Sequence, residues 1–129
     1  MSRRHVLTVN LKTDPGVVET YTRHHYAVWP EVQASLRQAG VEKMDIYLLG
    51  HRLVMVVEVD DTIDYRTAFA AHASSSSRVA EWERLMKSLQ DAPAEAGAGE
   101  WWVAMEPVFH LNTAEEPAIA CVADRSRTS

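Results

Sequence analysis

Between Tyr21 and Glu31 the chain reads Tyr-Thr-Arg-His-His-Tyr-Ala-Val-Trp-Pro-Glu, its densest run of side chains that exchange protons or stack on rings. On a helix, Tyr21 and His25 lie four residues apart and share a face. One more helical turn would bring Trp29 onto the same stripe. A phenol, an imidazole and an indole together suit a sugar or another polar cyclic molecule. The indole covers apolar C–H faces, and the other two handle protons or hydrogen bonds. The plainer alternative is an amphipathic helix whose partly buried histidine bonds a backbone carbonyl. Spacing alone leaves both open.

The other candidates are thinner. His24 sits on a different helical face from His25, so the pair lacks the i, i+4 spacing of two metal ligands. The single cysteine, Cys121, completes no ligand set and cannot form an internal disulfide. His51 falls in a turn and His72 beside the serine run Ser74–Ser77, so both read as solvated, while His110 fits either face of a strand. No Gly-x-Ser-x-Gly elbow surrounds the serines, and the five glycines are too scattered for a phosphate-binding loop. Glu58, among apolar strand residues, is either an edge residue in water or an acid lining a cavity. Trp82, flanked by Glu81 and Glu83, reads as core on a helix that could reach the same cavity. Of Trp101 and Trp102, one is expected to be buried and the other to rim a pocket or a dimer seam.

The elements that must position these groups follow from the apolar pattern. His5–Lys12 alternates as a strand. Asp14 and Pro15 predict a helix start, with Asp14 as cap, running through Val17, Val18, Tyr21 and His25. Pro30 forces a kink or restart, and a helical stretch Glu31–Gln38 stops at Gly40. Val41–Leu49 and Arg52–Asp60 read as strands around a Gly50-His51 turn. Thr62–Gln90 is mostly helical, broken at the serines, with Val79–Leu89 the firmer part. Asp91–Glu100 is a loop, and Trp101–Leu111 a last strand. This is one domain over residues 1–112, followed by a loose tail over 113–129.

The order strand, helix, strand, strand, helix, strand is the α+β, ferredoxin-like βαββαβ arrangement. Its sheet should show one polar face, yet Leu53, Met55, Val57 and Val59 alternate with Val54 and Val56. Two apolar faces need two coverings. Helices supply one, and a second copy of the chain is the economical other, so a homodimer is expected over a monomer with a deep pocket.

At 129 residues the chain has no room for separate cofactor and substrate domains. A chain this long buries roughly 68% of its unfolded surface, enough for a core without staples. Lys and Arg total 13 against 18 Asp and Glu, for a net charge of -5, which is no footprint for nucleic acid. No apolar run approaches the ~20 residues of a membrane helix, and the start lacks a signal-peptide pattern. Cytosol is the default.

Tyr21-x-x-x-His25-x-x-x-Trp29-Pro30-Glu31 resembles the signature of the L-rhamnose mutarotase family. The likeness continues through Met44-Asp45-Ile46-Tyr47, Gly50-His51-Arg52-Leu53, Val57-Glu58-Val59, Glu81-Trp82-Glu83-x-x-Met86 and Met105-Glu106-x-x-Phe109, covering roughly residues 5–112. The resemblance implies a dimeric α/β-barrel, no cofactor, and interconversion of α and β anomers of a 6-deoxy sugar. It implies His25 as the catalytic group, giving a proton to the ring oxygen, with Tyr21 orienting the sugar and Trp82 stacking on it. Met44 and Glu83 stand where the rhamnose enzymes carry a tyrosine and a second tryptophan. Those departures, with the Gly99-Glu100-Trp101-Trp102 block, resemble a subgroup associated with L-fucose. L-Fucose is therefore favoured, L-rhamnose stays open, and the base is either Glu83 or a water. Ser76-Ser77 stands where the family suggests Asn-Pro. The competing readings are a cofactor-free monooxygenase or lactone isomerase of the same barrel group, a haem-binding relative, or a non-enzymatic small-ligand module.

Overall fold

The computed structural model describes residues 2–111; the expected tail over 113–129, and Cys121 with it, lies outside them. The described chain forms β1 (Ser2–Leu11), α1 (Val17–His25), α2 (Pro30–Ala39), β2 (Val41–Leu49), β3 (Arg52–Asp60), α3 (Tyr65–Ala73), α4 (Ser77–Leu89), β4 (Gln90–Asp91) and β5 (Val103–Ala104). The antiparallel order β2-β3-β1-β4, with β5 also on β1, is ferredoxin-like with its fourth strand split in two.

Each helical layer breaks where local chemistry requires it. Asp14 does not cap α1 with its side chain; Gly16 stands at the cap with φ 84°. The Val17 N–H reaches the Asp14 carbonyl at 3.3 Å, so Asp14-Pro15-Gly16-Val17 is a turn with Pro second and a left-handed Gly third. The chain re-enters a helix at Pro30 with Trp29 extended at ψ 136°, because proline disfavours a helical residue before it. Trp29 therefore does not extend the α1 stripe. Farther on, Asp64 caps α3 through Thr67 N–H at 3.1 Å, and Ser76 Oγ caps α4 through Val79 N–H at 3.2 Å. Ser76 thus serves the loop where Asn-Pro was expected.

The sheet face toward the helices buries Leu7, Val9, Leu11, Leu53, Met55, Val57 and Val59. A bulge between Val41 and Lys43 switches the alternation of β2, so that Met44 and Ile46 point inward. A strand without that extra residue would turn Lys43 and Asp45 inward instead. The opposite face carries half-buried Val6, Val54 and Val56, with Tyr47 60% and Leu49 84% exposed. Glu58 lies on this outer face and accepts from Ser2 Oγ at 3.2 Å, away from the cavity described below.

The last strand is far shorter than the expected Trp101–Leu111. Val103 and Ala104 pair with β1, Met105 N–H reaches the Val6 carbonyl at 2.7 Å, and the chain then leaves the sheet. Pro107 brings no N–H to a ladder. Val108, Phe109 and Leu111 are left exposed.

Gly40 ends α2 at φ 107°, and a Cβ there would stand 2.7 Å from Ile63 Cδ1. Gly40→Ala is expected to cost ~1–3 kcal/mol, as a residue forced into a sparsely populated backbone region does. Urea unfolding measures it, and an unchanged midpoint would contradict this account of the α2 terminus.

Candidate active site

Tyr21, at the middle of α1, is drawn into the core by the apolar face of that helix and is only 4% exposed. His25, one turn on, lies over it with ring centroids 4.2 Å apart. Trp82 of α4, buried among Val9, Leu53 and Met86, meets His25 edge-on at 5.5 Å. Trp29 packs on Trp82 at 5.1 Å from the start of α2, and the Arg78 guanidinium covers its outer face at 3.6 Å. The tryptophan thus joins the aromatic group from a second helix. A cavity of about 850 Å³ opens between these helices and the sheet, within the range of small-molecule sites. Its walls include all five residues singled out from the sequence: Tyr21, His25, Met44, Trp82 and Glu83.

Hydrogen bonds fix what each polar group can do. His25 Nδ1 lies 2.9 Å from the Tyr21 carbonyl. A carbonyl only accepts, so Nδ1 carries the proton and Nε2 is the acceptor of the neutral ring. Burial lowers the His25 pKa below the ordinary 6.5, helped by the neighbouring His24 and opposed by the Tyr21 carbonyl. The ring is therefore mostly neutral at cellular pH. Carbonyl bonding and a cavity wall, posed as alternatives by the sequence, coexist in one residue.

Tyr21 carries the complementary group. Burial pushes its phenol up to about 12, with the Gln90 side chain opposing the shift and the Glu83 charge adding to it. A bond that favours phenolate must donate, so the Gln90 amide gives N–H to the phenol oxygen. The same amide accepts from Trp101 Nε1 at 2.7 Å. Its orientation is thereby set, and the Tyr21 O–H is left as a donor at the cavity wall. Gln90 escaped the sequence analysis, since a lone amide at a helix end carries no motif.

His72 also departs from expectation. It is 4% exposed, with Nδ1 at 2.8 Å from Ser35 Oγ and Nε2 at 3.4 Å from Glu83 Oε2. The serine run suggests solvent, but Ala68, four residues earlier, puts a small buried residue on the same α3 face. That face packs on α2. Trp101 and Trp102 both stay half-buried and both line the cavity. His51 is exposed as expected, and His110 is half-buried. Among the described residues, no three His, Cys, Asp or Glu side chains are grouped to hold a metal ion.

An α+β sandwich of this topology, with a small-molecule cavity carrying a neutral histidine and a phenol donor, has the equipment for proton-transfer chemistry. A model of the L-rhamnose mutarotase family matches residues 4–111. The L-fucose mutarotase of Xanthomonas campestris is 37% identical over 108 residues, covering 82% of this chain and 86% of that protein. An L-rhamnose mutarotase of Burkholderia orbicola is 29% identical over 105 residues, covering 81% and 96%. The crystal structure of an L-rhamnose mutarotase from Formosa agariphila superposes with a TM-score of 0.60 at 19% identity, over 84% of this chain and 98% of that one. The chain belongs to the L-rhamnose mutarotase family, and is an isomerase acting on sugars.

The Tyr21 environment has a consequence for stability. The folded chain holds this proton more tightly than the unfolded chain, whose phenol has the ordinary value of 10.0. The contribution is fully present below pH 10 and is lost as pH rises toward 12. Urea unfolding across that window should weaken more in the native protein than in Tyr21→Phe. Parallel losses in the two proteins would refute the assignment.

Proposed function

We propose that this protein is a cytosolic, homodimeric mutarotase of 6-deoxy hexoses, with L-fucose its favoured substrate. The observation that carries the reading is the His25 imidazole, neutral by burial, with Nδ1 spent on a carbonyl and Nε2 left as a proton acceptor in the cavity wall. L-Fucose is favoured by the 37% identity to the X. campestris enzyme and by Met44 and Glu83 at the cavity wall.

The family resemblance suggests that His25 gives the proton to the ring oxygen; burial of the ring favours the opposite starting role. Nε2 takes the proton of the anomeric hydroxyl, the C1–O1 bond becomes a carbonyl, and the C1–O5 bond breaks. O5 receives a proton from a second group, giving the open-chain aldehyde. Rotation about C1–C2 presents the other carbonyl face. O5 then attacks C1, returns its proton to the second group, and O1 takes back the proton held by His25. Protons and bonds balance over the cycle, so no cofactor enters it. Tyr21 O–H orients a sugar oxygen, and Trp82 walls the site, with little of its own surface exposed. A positioned proton-transfer group is worth ~10²–10⁴-fold, a useful factor for sugars that already exchange slowly unaided.

The homodimer rests on the outer sheet face. Val6, Val54, Val56, Tyr47, Leu49 and Met105 form an apolar surface larger than scattered single residues would make, and the exposed Val108, Phe109 and Leu111 follow it in the chain. A second copy meeting it face to face would give the closed two-fold assembly. Sedimentation should give twice the chain mass for the native protein and the single mass for Val56→Lys. A native monomer would end this part of the reading.

Saturation transfer between the anomeric protons of L-fucose tests the activity. The protein is expected to accelerate exchange, more for L-fucose than for L-rhamnose, and His25→Ala to abolish the acceleration. With His25 as the starting base, the rate holds through neutral pH and falls only as acidification below 6.5 protonates the ring. Full activity in His25→Ala would reject the mechanism.

A further inference from the structure

The mutarotase cycle needs a second group, and the proton inventory around Glu83 supplies one. Ser75 Oγ donates to the His72 carbonyl at 2.8 Å, which spends its only proton. Ser35 Oγ lies 2.8 Å from Ser75 Oγ and 3.5 Å from the same carbonyl, so its proton serves the shorter contact and Ser35 donates to Ser75. Ser35 Oγ also lies 2.8 Å from His72 Nδ1. With both hydroxyl protons used, that contact is satisfied only if Nδ1 carries a proton and donates to Ser35.

The neutral form of such a ring has no proton on Nε2. Yet Nε2 faces Glu83 Oε2 at 3.4 Å, where a bare lone pair would oppose a carboxylate. One further proton between them relieves the conflict, either on the carboxyl or on the ring. The His72 side chain is 5% exposed and Glu83 37%, so the pair is sealed on the histidine side and open at Glu83. Both residues line the cavity that holds His25.

We infer that Glu83 is the second catalytic residue, the acid that protonates the ring oxygen, and that His72, whose Nε2 faces it at 3.4 Å, is the positioning residue that keeps a proton at the pair. This rests on the mutarotase reading. In the opening half of the cycle the proton held at the Glu83–His72 pair goes to O5 from Glu83 as C1–O5 breaks, while His25 takes the O1 proton. Ring closure sends both back. No co-reactant is consumed. The family resemblance places a tryptophan where Glu83 stands, so this pair is a feature of the present chain and its like.

Three measurements test the pair. Nitrogen-edited NMR of the native protein should show His72 Nδ1 protonated; a neutral ring protonated only at Nε2 would overturn the proton inventory. Glu83→Gln keeps the shape and hydrogen-bonding capacity but cannot transfer a proton. It should lower kcat for anomer exchange ~10²-fold while KM stays within about threefold. His72→Phe should lower kcat about tenfold alone and less than about twofold in the Glu83→Gln background, the non-additivity of residues that act as a unit. Ser35→Ala, a gentler change, should shift the loss the same way if His72→Phe folds poorly. Near-native exchange in Glu83→Gln, in a native protein that is active, would sink the pair alone. Native protein inactive on both L-fucose and L-rhamnose would instead sink the mutarotase reading.

Discussion

The hydrogen bond from His25 Nδ1 to the Tyr21 carbonyl sets the chemistry of the cavity. It decides which ring nitrogen bears the proton, holds the imidazole against the phenol ring below it, and leaves Nε2 as the acceptor of the neutral ring. Such a bond needs Tyr21 and His25 on one helical turn, with the histidine at the helix end where the ring can fold back. Termination of α1 at His25 meets that need. The next residues, Tyr26 to Trp29, carry the chain to the Pro30 restart of α2. A continuous helix through Pro30 would lose a backbone bond and clash at the preceding turn.

The rest of the site hangs on two packing consequences. Trp82 fills the space between α1 and the sheet, and Trp29 closes over it from α2 under the Arg78 guanidinium. An exposed cation–π contact of this kind contributes about 0.5–1 kcal/mol, so the aromatic wall is steadied mainly by burial. On the sheet, the bulge in β2 turns Met44 inward, adding an apolar side chain to the cavity wall.

Much of this was legible in the chain itself. The strand and helix order, the Tyr21/His25 pairing and Trp82 follow from spacing, because alternation and the helical repeat are local properties. Trp29 shows a signal that spacing overruled, since a residue before proline is biased away from helix. His72 lies in a composition that suggests water, and its burial comes from α3 packing on α2 through Ala68 and Ser35, which no local window contains. The bulge and the short β5 belong to the same class: register is set by partners distant in sequence. Gln90 orders Tyr21 and Trp101 through contacts that only the assembled fold makes.

The central claim is that His25 rests neutral with its lone pair on Nε2. Nitrogen-edited NMR of the His25 imidazole in the native protein near neutral pH measures this directly. The account predicts a neutral ring protonated at Nδ1, with Nε2 gaining a proton only on acidification below 6.5. A ring protonated at Nε2 alone, or an imidazolium already formed at neutral pH, would contradict it.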